Sequence, residues 1–148
     1  MDSKTIKQLL GAKKLHVKIA KKDLGRAHSD LLRVQNQINH LQHQLATIQN
    51  NSKDKQEEAL RKALSGDFTK VIHTKVCNVY ELIEFEINQV QQFIVKEKQA
   101  EKSAKEQVVI AQTKLTKAMQ KEEKIQHVLS TIEREEMVRN EILDEEAQ

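Results

Sequence analysis

Proline is absent from this chain, and glycine occurs only at Gly11, Gly25 and Gly66. Aromatic residues make up 3% of it, so the bulky apolar volume that a three-dimensional core demands is missing. A narrow seam between helices needs far less. Cys77 stands alone, which excludes an internal disulfide and fits a reducing compartment. No apolar run approaches the roughly 20 residues of a membrane span. Lysines interrupt the first twenty residues throughout, which does not fit a secretory signal. The expectation is therefore a cytoplasmic protein with no direct membrane insertion. The formal charge of +3 on 148 residues is too small to imply nucleic acid by itself.

What is present is charge and helical pattern. Charged residues account for 32% of the chain, and a composition rich in Ala, Glu, Lys, Leu and Gln marks long helices. The charges are unevenly spread. Lys4, Lys7, Lys13, Lys14, Lys18, Lys21, Lys22 and Arg26 crowd the beginning against Asp2 and Asp23. Glu133, Glu135, Glu136, Glu141, Asp144, Glu145 and Glu146 crowd the last stretch against Arg134 and Arg139.

The apolar residues form two ladders. In the first half they are Ile6 and Leu10, then Val17, Ala20, Leu24, Ala27, Leu31, Val34, Ile38, Leu41, Leu45 and Ile48. From Val17 onward the steps alternate three and four, which is a coiled-coil seam. Lys13 fills one seam place, and Ser52, Lys55 and Lys62 read as the end of the ladder. The second half repeats the device through Ile72, Val76, Val79, Ile83, Ile87, Val90, Ile94, Ala104, Val108, Ala111, Leu115, Ala118, Ile125, Leu129 and Ile132. Glu97, Glu101 and Glu122 stand at seam places within it. Two four-residue steps in a row around Ile83 and Ile87 form a stutter, which locally unwinds a supercoil.

Leu64-Ser65-Gly66-Asp67 is the best turn signal between the ladders. Gly66 suits the positive φ of a helix C-terminus, and Asp67 suits the cap of the next helix. Asn50-Asn51-Ser52 is a weaker candidate. Folding at Gly66 pairs residues whose numbers sum to about 132: Val17 with Leu115, Ala20 with Ala111, Leu24 with Val108, Ala27 with Ala104, Ile38 with Ile94, Leu41 with Val90, Leu45 with Ile87. Leu31 and Val34 then face Glu101 and Glu97, a soft spot. A turn at Asn51 would set Leu41 and Ile48 against Lys62 and Lys55, so content favours Gly66. The expected fold is all-α: a long antiparallel two-helix coiled-coil hairpin forming a single domain over 1–148, with helix 1 over about 3–63, the turn at 64–67 and helix 2 over about 68–145. Each arm would be roughly 90–120 Å long at 1.5 Å per residue. Residues beyond about 132 would overhang, and the basic beginning would lie beside the acidic ending.

Nothing in the chain resembles an active site. There is no phosphate-cradling glycine loop, no HExxH and no CxxC. His40 and His43 have helical spacing, but two solvated histidines explain them better than a metal site. Cys77 has no base identifiable from sequence, and the many carboxylates match a solvated helix face. No enzyme activity, cofactor or metal is expected. The aromatics are less ordinary, because Phe68, Tyr80, Phe85 and Phe93 fall in one stretch with Val71 and Leu82 off the seam. They form either an exposed partner patch or a locally thicker core made with Leu60 and Leu64.

A hairpin of this length, with its polar stem, the turn segment Leu64-Ser65-Gly66-Asp67-Phe68-Thr69, the following Val79-Tyr80-Glu81-Leu82-Ile83-Glu84-Phe85 and an acidic ending from Arg134-Glu135-Glu136 to Glu145-Glu146, resembles the FliJ/YscO stalk proteins of type III secretion. These are similar to the coiled coil of the γ subunit of rotary ATPases. The resemblance covers nearly the whole chain. It implies a central stalk, peripheral to the inner-membrane secretion apparatus, coupling a hexameric secretion ATPase to the cytosolic ring of the export gate, with secretion chaperones as further partners. Virulence-associated protein transport is the process it implies. The stem contacts with the ATPase pore would fall on Lys7, Lys14, Lys18, Lys21, Glu133, Glu135 and Arg139. The tip contacts with the export gate would fall on Phe68, Val76, Tyr80, Leu82 and Phe85. A generic structural or chaperone-like coiled coil is the alternative from a different class. Nucleic-acid binding through the lysines is weaker still, since no aromatics interleave them and acidic residues lie alongside.

Overall fold

The computed structural model describes residues 2–67 and 69–148. The architecture is all-α, two long helices packed against each other as a helical hairpin. α1 runs Ser3–Leu64 over 62 residues and α2 runs Lys70–Ala147 over 78. No helix among the described residues is long and apolar enough to cross a membrane.

Each helix has a local reason to start where it does. Asp2 caps α1: the Thr5 amide donates to its Oδ1 at 2.8 Å, and the Ile6 amide donates to its carbonyl at 3.3 Å. At the far end, the Ser65 amide and hydroxyl donate to the carbonyls of Arg61 (3.0 Å) and Lys62 (2.9 Å). Those bonds occupy carbonyls that the end of a helix leaves without partners. Arg61 and Lys62 in the same turn favour the negative pole of the helix.

Two expectations about the turn are corrected. Gly66 does not take a positive φ; no glycine does among the described residues. The hydroxyl of Ser65 supplies the termination that a left-handed glycine was expected to supply. Asp67 does not cap the second helix. Thr69 does, accepting the Ile72 amide on Oγ1 at 3.3 Å and the His73 amide on its carbonyl at 3.0 Å. α2 therefore begins at Lys70, two residues later than an Asp67 cap implies. Phe68 lies outside the described residues. Asn50-Asn51-Ser52 is plain α-helix.

The contacts gather in two units, Met1–Ser29 with Lys105–Gln148 and Asp30–Ala104. In the first, Ile6, Leu10 and Leu129 form a buried cluster with Ile125 and Ile132 packed against it. Val17, Ala20 and Leu115 form another, joined by Leu24 and Ala118. In the second, Leu41, Val90 and Ile94 are the core, with Leu45 and Ile48 against it. The pairings Val17–Leu115 and Leu41–Val90 are those of a hairpin folded near residue 66. Leu31, Val34, Glu97 and Glu101 are half-buried, so the soft spot is where the pattern put it.

The first ladder does not end at Ser52, as it appeared to. Its seam runs on through Ser52 (buried), Gln56 and Ala59 (half-buried) and Ala63, which is only 2% exposed. Lys55 and Lys62 stand off the seam. The shift comes from two four-residue steps, Ile48 to Ser52 to Gln56. A matching pair of steps runs Val79 to Ile83 to Ile87 on α2. Both stutters lie in the second unit, about a turn apart by register, and a stutter relaxes the supercoil locally. The Ser52 hydroxyl donates to the Gln49 carbonyl at 2.8 Å, which satisfies it inside the seam.

Candidate partner surfaces

The second unit carries a groove beside the turn. Ala59 and Ala63 of α1 and Ile72, Val76 and Val79 of α2 make its apolar floor, with Lys55, Glu58, Lys62 and Lys75 around it. It holds about 410 Å³. The space exists because the continued seam of α1 offers alanines where the rest of the ladder offers leucine and isoleucine. Lys62 and Glu58 pair across one helical turn at 3.2 Å.

The residues expected to form a tip surface divide between two faces of α2. Val76 lines the groove, and Tyr80 is half-buried one turn on. Leu82 and Phe85 are 60% and 62% exposed and point away from the seam, as does Val71. Phe93 is exposed further along the helix. A thicker local core with Leu60 and Leu64 does not form: both are exposed, Leu64 at 78%. The exposed row Val71, Leu82, Phe85 and the groove are thus separate apolar features of one unit. Sequence reading missed the groove. Its signal was the spacing of Ala59, Ala63, Ile72 and Val76, hidden because alanine is not conspicuous.

In the first unit, Lys7 Nζ lies 3.6 Å from Glu133 Oε1, so one basic–acidic pairing between the arms forms. Lys14, Lys18, Lys21, Glu135 and Arg139 are all exposed. The expected meeting of the basic beginning with the acidic ending takes the form of this pairing, while further along the first unit lysines meet lysines. Opposite Lys13 and His16 stand Lys114, Lys117 and Lys121. Beyond Glu136, α2 is exposed to its end, including Met137, Val138, Ile142 and Leu143. These four were not singled out from sequence because acidic residues surround them.

Cys77 has a neighbour that its sequence context hid. His73, one turn earlier, places its ring nitrogens 3.9 and 4.0 Å from the Cys77 sulfur. Both residues are exposed. Among the described residues no three His, Cys, Asp or Glu side chains gather as a metal site would require. Asp2 has its carboxyl held below its ordinary value chiefly by the Thr5 amide.

No protein-family model matches the chain, and neither a curated protein nor a solved structure does.

Proposed function

We propose that this protein is a non-enzymatic connector: the central stalk of a type III secretion ATPase complex, linking the hexameric ATPase to the export gate. One observation carries this reading. The unit of residues 1–29 and 105–148 carries the Lys7–Glu133 pair with Lys14, Lys18, Lys21, Glu135 and Arg139 exposed, and the unit holding the turn carries the apolar groove with Leu82 and Phe85 exposed beside it. In this reading the charged unit meets the ATPase pore through Lys7, Lys14, Lys18, Lys21, Glu133, Glu135 and Arg139. The turn unit meets the gate, and any secretion chaperones, through Val76, Tyr80, Leu82 and Phe85. The helical resemblance to FliJ/YscO stalks supports it, as does the absence of a sequence motif for chemistry.

The test is direct. The purified chain is mixed with the hexameric secretion ATPase of its own organism, and hydrolysis and co-sedimentation are measured. Stimulated hydrolysis with complex formation is the expected result. If neither occurs, the stalk reading fails.

Exposed Leu82 and Phe85 favour a second reading, a structural or chaperone-like coiled coil that associates through this row. Sedimentation at rising concentration separates the two. A stable oligomer broken by Leu82→Ser supports the second reading, and a strict monomer removes it.

A further inference from the structure

The groove of the first unit is built from like charges. Lys13 and His16 on α1 and Lys114, Lys117 and Lys121 on α2 surround a space of about 200 Å³ floored by Ala118. The spacings 13/16 and 114/117/121 put each set on one helical face, so both rows point into the same groove. Lys13 occupies a seam place and is half-buried there. Ala118 opposite is small, which leaves room for it. No carboxylate lines the groove, and none of the four lysines is in an ion pair among the described residues.

This arrangement opposes folding. Facing charges of one sign repel, and an ordinary coiled coil sets opposite charges across the seam and an apolar residue within it. Here the chain instead aims four ammonium groups at one small cleft. Each ammonium is a point charge with three rotatable donors, a combination suited to phosphate oxygens. A single carboxylate would neutralise one of four charges and leave the others repelling. The space is too small for a nucleic-acid helix, so a fitting ligand is compact and dense in negative charge.

We propose that this groove binds linked phosphates, an oligophosphate anion, whether an inorganic polyphosphate or the tail of a nucleoside triphosphate. The site is independent of the stalk reading, since it uses none of the residues assigned to the ATPase or the gate.

The full-length chain is titrated with tripolyphosphate, ATP and AMP at fixed ionic strength, followed by calorimetry and thermal melting. Tripolyphosphate raises the melting temperature beyond the effect of sodium chloride at matched ionic strength. Lys117→Gln and Lys121→Gln each weaken binding roughly threefold to fivefold, the scale of one exposed charge pair. The triple variant Lys114→Gln, Lys117→Gln, Lys121→Gln loses the shift, yet melts higher than the natural chain in the absence of anion because the repulsion is gone. A control triple of equal charge change elsewhere, Lys96→Gln, Lys98→Gln, Lys102→Gln, keeps the shift. Equal binding of tripolyphosphate and ATP, both above AMP, means that the phosphate run alone is read; tighter ATP binding adds a contact to the nucleoside. A shift no larger than that of sodium chloride, or one that survives in the groove triple or vanishes in the control triple, overturns the site.

Discussion

Leu129 retains 6% of its accessible surface, while Leu82 retains 60%. The two differ only in which side of α2 they occupy, and their replacement separates the two sides energetically. Leu129→Ala removes a member of the Ile6–Leu10 cluster and costs about 2–3 kcal/mol, the lower part of the range for buried leucines, because water can refill a seam open at its flanks. Leu82→Ala stays within about 0.5 kcal/mol. Urea unfolding followed by circular dichroism measures both. At the turn, Thr69→Ala removes the cap of α2 and costs about 1 kcal/mol, whereas Asp67→Ala leaves the cap intact. At Asp2 the sign runs as for any depressed carboxyl. Its contribution is present above the carboxyl value of the unfolded chain and disappears as the pH falls through the lower, folded value. The protection of the Thr5 amide against exchange, taken relative to its intrinsic rate at each pH, should therefore fall in acid, and Asp2→Asn should remove that dependence.

At the scale of the element, most of the helical ladder was legible and one part was not. From Val17 to Ile48 the seam residues are conspicuous hydrophobics in unbroken steps, so periodicity alone located them. Past Ile48 the seam is made of Ser52, Gln56, Ala59 and Ala63, residues that also occur freely on surfaces. Their burial is decided by the partner helix, whose own double four-residue step shifts the facing stripe. The polar seam residues make a prediction. Gln56→Leu fills the stretch before the groove with apolar volume and raises stability by up to about 1 kcal/mol. Lys55→Leu, one residue away and exposed, gives no such gain. Thermal melts of the two variants decide whether the seam follows 52-56-59-63.

For the whole molecule, the proposed connector role predicts that two sets of substitutions act separately. Joint reversal of Lys14, Lys18 and Lys21 to Glu should reduce ATPase binding by about an order of magnitude at low salt, with less effect as salt screens these exposed charges. It should leave gate binding unchanged. Leu82→Ser with Phe85→Ser should do the reverse. Pull-downs against each partner across a salt series measure both. The site residues were only partly legible at this scale. The register of about 132 did not pair Lys7 with Glu133, and the mutual facing of Lys13, Lys114 and Lys117 went unread because charge was compared only between the beginning and the ending of the chain. The row Val71, Leu82, Phe85 was visible as apolar residues off the seam.

The sequence by itself determined that the chain is helical, that it folds back near residue 66 and that Val17 meets Leu115 and Leu41 meets Val90. A three–four apolar step has only one way to be buried between two helices, and a hairpin's register follows from its turn. Tertiary packing decided the rest. It set which small residues extend the seam past Ile48, because a stutter on one helix is accommodated only by a matching stutter on the other. It split the expected aromatic surface between a groove and an outer row, since Leu82 and Phe85 lie six and nine residues from Val76 and so face away from it on the same helix. It also brought lysines from distant parts of the chain to a single cleft, a proximity that no linear pattern of charge records.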